Sequence, residues 1–269
     1  MCSFVGKGGW FNLPVFYLCA MYRMICLMVL LICFQSAGAQ KDSADVKLNI
    51  LTLNLGYGAE WPGGDLAQRF GQSLSFHSGM EWVHKSKYSF GLDFSYFFGD
   101  KIKEDVFAPY RNENGLVQGI NGVAADLFIR ERGAYVGIQA SSILFPTAKH
   151  SGFELSLGAG MLYHKLHFVD DSRSVFLAEK PYSTGLDRLT RGFALRQELA
   201  YQLHSEKKAL HFHLGFYITE AFTTQVRKFN FDTGLPASES TRNDLLYGVR
   251  LVWMLPLYKA STVPVIKYF

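Results

Sequence analysis

Residues 88–98 read YSFGLDFSYFF, and a large apolar side chain stands at every second position of this stretch. Successive side chains of a β-strand point to opposite faces, so a strand here would have one strongly apolar face and one small or polar face. The apolar set is Tyr88, Phe90, Leu92, Phe94, Tyr96 and Phe98, against Ser89, Gly91, Asp93 and Ser95. In water, such a row of apolar side chains would have to be covered by a second sheet, whereas in a lipid bilayer it can face the lipid directly.

The same period of two recurs in seven further segments, each long enough, at roughly 10 to 14 residues, for a tilted strand to cross a membrane. Their polar faces carry ionised groups, which a β-sandwich core would reject and the lumen of a closed barrel can accept. Closure also removes sheet edges, which lipid cannot satisfy by hydrogen bonding. The sequence therefore predicts an all-β fold, a closed antiparallel transmembrane β-barrel of eight strands, beginning near Leu51, Ser73, Tyr88, Ala134, Phe153, Phe193, Leu210 and Tyr247.

The links between these segments differ in length. Short links are predicted at 85–87, 146–151 and 205–208, and long ones at 60–71, 100–133, 167–190 and 223–243. Membrane barrels of this class have short periplasmic turns and long outer loops, so the long links are expected outside the cell. Residues 122–132 are ambiguous, because a strand there would raise the count towards ten. We predict a short helix instead, since Ala124, Leu127 and Phe128 share a helical face and Gly133 suits a C-cap.

The N-terminus has the pattern of a secretory signal peptide. Arg23 precedes an unbroken apolar run of eleven residues, Met24 to Phe34, and Ala37-Gly38-Ala39 is a small-x-small cleavage site. We predict a leader of residues 1–39 that is cleaved before Gln40, with translation starting at Met21 or Met24. The alternative is a membrane anchor over residues 10–34, although Pro14 and Arg23 interrupt it.

The predicted mature chain is nearly neutral and has no thiol. All four cysteines lie in the leader, at Cys2, Cys19, Cys26 and Cys33. Removing the leader also removes Lys7 and Arg23, which leaves 25 Lys and Arg against 23 Asp and Glu. This balance gives no support to a nucleic-acid partner.

The last strand resembles the sorting signal of outer-membrane proteins, polar-x-Gly-x-x-apolar-x-aromatic. Gly248, Leu251 and Trp253 match its glycine, apolar and aromatic positions, while Leu246 departs from the polar one. The resemblance implies the barrel-assembly machinery as a partner during insertion. We take residues 40–258 as the barrel and 259–269, after Pro256, as a C-terminal tail.

In architecture the mature chain resembles small outer-membrane barrels of the OmpA and OmpX kind, which implies location in the bacterial outer membrane and contact with its lipid and lipopolysaccharide. In the general character of its sequence it resembles uncharacterised barrels of Bacteroidota. Small barrels in that phylum include accessory parts of the type IX secretion apparatus. Three stretches carry that second resemblance, namely residues 62–71, 182–190 and 253–258.

The predicted lumen carries ionisable side chains, which must pair because side chains fill an eight-stranded barrel and leave no channel. The charges are Glu81, Asp93, Glu154, Arg196, Glu198 and Arg250, with His77, His164, His204, His211 and His213 nearby. We interpret them as a structural charge network that plugs the barrel.

More specific functional hypotheses for these residues have less support in the sequence. A hydrolase would need a Ser–His–acid set, but His77 and Ser78 point to opposite faces, and the pattern indicates no other serine beside a lumen histidine with an acid in reach. His211 and His213, with His204, could bind a metal, but no carboxylate is in register. The segment 227–231 could touch lipopolysaccharide. We predict no catalytic residue, metal or cofactor. The predicted role is structural or interactive, such as an accessory subunit of an envelope secretion or assembly system, with a small solute channel as the alternative.

Overall fold

The computed structural model describes residues 50–84, 88–120, 122–125, 127–148, 151–170, 175–204 and 211–257. The predicted leader and the C-terminal tail lie outside the described residues, as do most of the short links. The signal peptide, its cleavage site and the start of translation therefore stay predictions.

Eight strands form one closed antiparallel barrel, as the sequence predicted. The barrel closes because the last strand pairs with the first. Its strands are β1 (Ile50–Gly64), β2 (Ser73–Val83), β3 (Tyr88–Gly99), β4 (Leu127–Ala148), β5 (Ser151–Asp170), β6 (Thr190–His204), β7 (His211–Gln225) and β10 (Arg242–Leu257). Two short strands, β8 (Phe229–Asn230) and β9 (Leu235–Pro236), form a separate hairpin in the link between β7 and β10.

The register tilts the strands strongly against the barrel axis. Starting at Tyr163 in β5 and stepping from each residue to its partner on the next strand, one circuit returns to β5 at Phe153, ten residues away. An eight-stranded barrel with such a stagger has an interior that side chains can fill. A strand segment of about ten residues, with a rise of ~3.3 Å per residue and a tilt of about 40°, spans about 25 Å along the barrel axis. This is the height of the apolar band of a membrane barrel.

The outward face is the apolar face that the period of two predicted. Leu92 is 62% exposed and Ile138 64%, and the other exposed apolar side chains of the strands alternate in the same way with buried polar ones. Tyr and Trp side chains lie towards both ends of this face, with Trp61 and Tyr163 at one end and Trp82 and Tyr88 at the other. An apolar band between aromatic belts is the surface of a membrane-spanning barrel.

Among the described residues, no helix is long and apolar enough to cross a membrane.

One part of the sequence interpretation was wrong. No helix forms within 122–132; instead β4 begins at Leu127 and pairs with β5 as far as Asp170. Glu131 points inwards on this extension, which continues the period of two beyond the lipid. Gly133 is an inward strand position and not a C-cap, because a Cβ there would overlap the ring of Phe97. The described residues contain no further barrel strand, so the ten-strand alternative is also wrong.

The long links are shorter than predicted, because the strands extend further at this end. They cover residues 65–72, 100–126, 171–189 and 226–241. Two one-turn helices, Leu66–Arg69 and Tyr182–Leu186, and two 3-10 turns, Ala108–Tyr110 and Phe176–Ala178, lie in them. The links fold over the barrel end, where their apolar side chains pack on inward residues of the strands. This core includes Leu66, Phe70, Phe97, Phe107, Leu162, Leu166, Leu186 and Leu246.

Candidate functional site in the barrel lumen

Four buried charged residues meet in the middle of the lumen. Arg250 donates from Nε to Oε1 of Glu198 (2.7 Å), from Nη2 to Oε2 of the same residue, and from Nη1 to Oδ1 of Asp93 (2.9 Å). Arg196 donates from Nη1 to Oδ2 of Asp93 at 2.8 Å. Each of the four is at most 5% exposed. We call Asp93, Arg196, Glu198 and Arg250 the central charge cluster; two cations face two anions at hydrogen-bond distance, as buried charges require.

Glycines on the neighbouring strands make room for this cluster. A Cβ at Gly215, on β7, would overlap the carboxylate of Glu198, and one at Gly248 would overlap the ring of Tyr217. The alternation of small and large inward residues therefore lets long charged and aromatic side chains cross a narrow lumen.

Two tyrosines, which the sequence interpretation did not single out, complete the barrier across the lumen. The Arg196 guanidinium carbon lies 3.8 Å from the ring centre of Tyr135 and 4.7 Å from that of Tyr217. Both rings are fully buried. Tyr217 also donates a hydrogen bond from its hydroxyl to Glu60. Cation–π contacts on both sides hold the guanidinium in place.

The remaining predicted lumen charges lie apart from the central charge cluster. Glu81 accepts from Ser141 Oγ (2.9 Å) and Asn54 Nδ2 (3.2 Å), and Glu154 accepts from Ser156 Oγ (3.1 Å). Neither carboxylate forms an ion pair with Lys or Arg within the part of the chain that the structure describes. These two carboxylates are thus held by neutral donors, outside the compact ion-paired group.

The lumen histidines are used as hydrogen-bond partners. His213 Nε2 lies 2.8 Å from Glu198 Oε1, and His164 Nε2 lies 2.9 Å from Asp244 Oδ2. The side chain of His204 lies outside the described residues. Across those that are described, no group of three His, Cys, Asp or Glu side chains is arranged to hold a metal ion.

The prediction that no lumen histidine has a serine and an acid in reach was wrong. Ser75 Oγ lies 2.9 Å from His77 Nε2, because residues two apart in β2 share the inward face. Glu60 is close by, linked through Tyr217. The geometry is nevertheless not that of a hydrolase: the acid does not orient the second ring nitrogen of His77, and Ser75 is fully buried, so that no substrate reaches it.

No protein-family model matches the chain, and no curated protein does. Solved structures of small outer-membrane barrels are similar to it in fold. One is the complex of Ail, the attachment invasion locus protein of Yersinia pestis, with the heparin analogue sucrose octasulfate. Ail is 9% identical in sequence, and the match covers 77% of this chain and 99% of Ail at a TM-score of 0.39. OprG from Pseudomonas aeruginosa is 12% identical over 80% and 99%, at 0.35. The outer membrane protein AlkL in DMPC bilayers is 8% identical over 84% and 98%, at 0.40. Similarities of this size assign no ligand or partner to this chain.

Ion pairs also tie the long links to one another above the lumen. Glu104 accepts from Arg69 Nε (2.6 Å) and Arg188 Nε (2.8 Å), and Arg188 donates from Nη2 to Asp232 Oδ2 (2.7 Å). Burial raises the pKa of the Glu104 carboxyl, but the two arginines outweigh it and lower this pKa below its ordinary 4.5. These residues come from four different links or their edges, so the links form one ordered cap.

Proposed function

We propose that this protein is a closed, non-enzymatic barrel of the bacterial outer membrane that acts by binding a partner through its outer loops. The observation that carries the proposal is apolar surface on loops that are ordered and lie beyond the lipid band. On the hairpin of β8 and β9, Phe229 is 52% exposed and Leu235 62%; on the link between β3 and β4, Ile120 is 71% exposed. Contiguous apolar patches on ordered protein surface are typical of interaction sites.

Contacts between the links support a fixed shape for this surface. Tyr110 donates its hydroxyl to the backbone oxygen of Phe231, and Gly185 packs directly under the Phe231 ring. Two hairpin-like turns therefore present their apolar side chains from one cap. We call the exposed residues Leu116, Ile120, Val123, Phe229 and Leu235 the apolar loop surface.

Insertion by the barrel-assembly machinery and membership of a secretion or assembly complex are the finer form of this proposal. The sorting-signal residues support the first, since Gly248 and Leu251 lie in the closing strand β10. Only the resemblance of the sequence to Bacteroidota barrels supports an accessory role in type IX secretion. A complex isolated from the native outer membrane would give the partner's identity.

The test is capture of partners from native outer membranes with tagged full-length protein. A variant carrying Phe229→Ser and Leu235→Ser should lose a partner that the wild type retains. Phe176→Ser is the matched control, because Phe176 is an exposed aromatic of another link, outside the apolar loop surface. Equal capture by all three proteins, or no specific partner with the wild type, would contradict the proposal.

The channel alternative makes a different prediction. The side chains of the central charge cluster and its two tyrosines cross the lumen, so wild-type protein in a planar bilayer should show no stepwise conductance. Reproducible steps would favour the channel, and a variant with Tyr217→Ala should then raise their size.

A further inference from the structure

Five basic side chains stand together on the outward face of three neighbouring strands. Arg130 and Arg132 come from β4, Lys165 and His167 from β5, and Arg191 from β6. Arg132 is the direct partner of Lys165, Arg130 is the partner of His167, and Arg191 is the partner of Tyr163 and thus diagonal to Lys165. Direct partners have Cβ atoms about 5 Å apart and diagonal ones about 7–8 Å. We call these five residues the cationic rim patch.

The patch lies immediately beyond the apolar band. Tyr163, two residues before Lys165, faces lipid in β5, and Phe193, two residues after Arg191, does so in β6. The outward partner of Arg132 on β3 is Phe98. Aromatic side chains at this position mark the boundary between hydrocarbon and headgroups, so the patch is level with the headgroups of the adjoining leaflet.

Carboxylates of the described residues form no ion pair with the patch. Among the described residues none of the five forms an ion pair; Arg132 donates only to the backbone oxygen of Glu131, at 2.8 Å. The carboxylates nearest in sequence are Glu131, which is buried between Arg130 and Arg132, and Asp170, which accepts a hydrogen bond from the backbone N–H of Val175. Like charges that face each other across strands are destabilising. The row of outward cations ends at β6, since the partner of Arg191 on β7 is Thr224.

We propose that the cationic rim patch binds the phosphate groups of a phosphorylated glycolipid in the outer leaflet. Guanidinium groups match phosphate oxygens in pairs, and the lysine adds a mobile charge. The occupant follows from charge complementarity and from continuity with the lipid-facing surface: acyl chains can lie on Met161 and Phe193 while the phosphates reach the basic groups. This inference rests on the proposed outer-membrane location, and it is independent of the apolar loop surface.

The experiment measures lipid binding by detergent-solubilised full-length protein with native mass spectrometry. The probes are bis-phosphorylated lipid A and the same lipid without its phosphates. The test variant carries Arg132→Gln and Lys165→Gln. The control carries Lys180→Gln and Lys228→Gln, which removes the same charge from exposed positions on the links. Heat-modifiable gel migration verifies that each protein is folded.

Wild type and control should bind the phosphorylated lipid about tenfold or more tightly than the phosphate-free one, and the test variant should bind both lipids alike, because each lost cation removes a charge-assisted contact. Equal binding of the phosphorylated lipid by the test variant and the control would overturn the proposal. Equal binding of the phosphorylated and phosphate-free lipids by the wild type would overturn it as well. Displacement of the lipid by an equal concentration of inorganic phosphate would make free phosphate the occupant. None of these results depends on partner capture, so the two proposals fail separately.

Discussion

Replacing Arg250 by methionine removes the cation that contacts both carboxylates of the central charge cluster. The wild-type side chain makes three hydrogen bonds to them, and both acids are at most 5% exposed. Hydrogen bonds to charged groups contribute about 1.5–3 kcal/mol each, which sets an upper figure. Asp93 keeps Arg196 and Glu198 keeps His213 in the variant, so the loss is smaller. We expect Arg250→Met to lower the free energy of unfolding by about 3–5 kcal/mol, the usual cost of breaking a buried ion pair from one side.

The assay is urea unfolding of the barrel folded into lipid vesicles, followed by tryptophan fluorescence. Arg111→Met is the matched control, because Arg111 pairs with Asp105 at 2.7 Å but both side chains are more than a third exposed. Surface pairs of this kind contribute about 0–1 kcal/mol. A double variant with Glu198→Gln should recover part of the loss, since one stranded charge is then removed. If Arg250→Met costs no more than Arg111→Met, the lumen is hydrated and the reasoning about buried pairing is refuted.

Three further predictions concern the lipid face, the orientation and the cap. Phe94→Arg, in the middle of β3, should cost about 2–4 kcal/mol of folding free energy in vesicles, and Tyr88→Arg, at the strand end, about 0–1 kcal/mol, because the penalty depends on depth in the bilayer. Equal costs would argue against a membrane location of this face. An impermeant thiol reagent on intact cells should label Ser238→Cys and miss His84→Cys, and the reverse would invert the barrel. The Glu104 ion pairs stabilise the cap at neutral pH, and this stabilisation is lost as pH falls below 4.5 and through the lowered pKa of this carboxyl, so proteolysis of the links should accelerate over that range. A pH-independent rate would exclude this role.

The sequence predicted the barrel strands well because lipid imposes one rule on every strand. Each outward side chain within the band must be apolar, so the period of two in residues 88–98 is directly readable. The rule stops at the edge of the band. The outward residues of the β4 extension are Phe128, Arg130 and Arg132, and these mixed residues resemble a helical pattern as much as a strand. The helical face that Ala124, Leu127 and Phe128 would share predicts a helix here, but pairing with β5 determines the structure instead.

The candidate site was only partly predictable, for a different reason. The inward face of each strand can be read from its pattern, but the level at which two strands meet depends on the stagger of the whole barrel. Arg250 and Asp93 are 157 residues apart in the chain and meet through that stagger. The contact of Ser75 with His77, in contrast, needs only two residues of one strand and was visible in the sequence. The ion pairs of the cap depend on irregular links, which have no period to read.

The origin of the central charge cluster has a consequence for how the barrel is made. Asp93 belongs to β3, Arg196 and Glu198 to β6, and Arg250 to the strand that closes the ring. Until that strand joins β1, the central charge cluster lacks Arg250 and has two anions against one cation. A partly assembled intermediate is therefore penalised electrostatically, and arrival of the final strand both balances the charges of the cluster and completes the hydrogen bonding at the edges. Assembly is thereby made cooperative at its last step, and the finished protein resists opening at the β1–β10 junction.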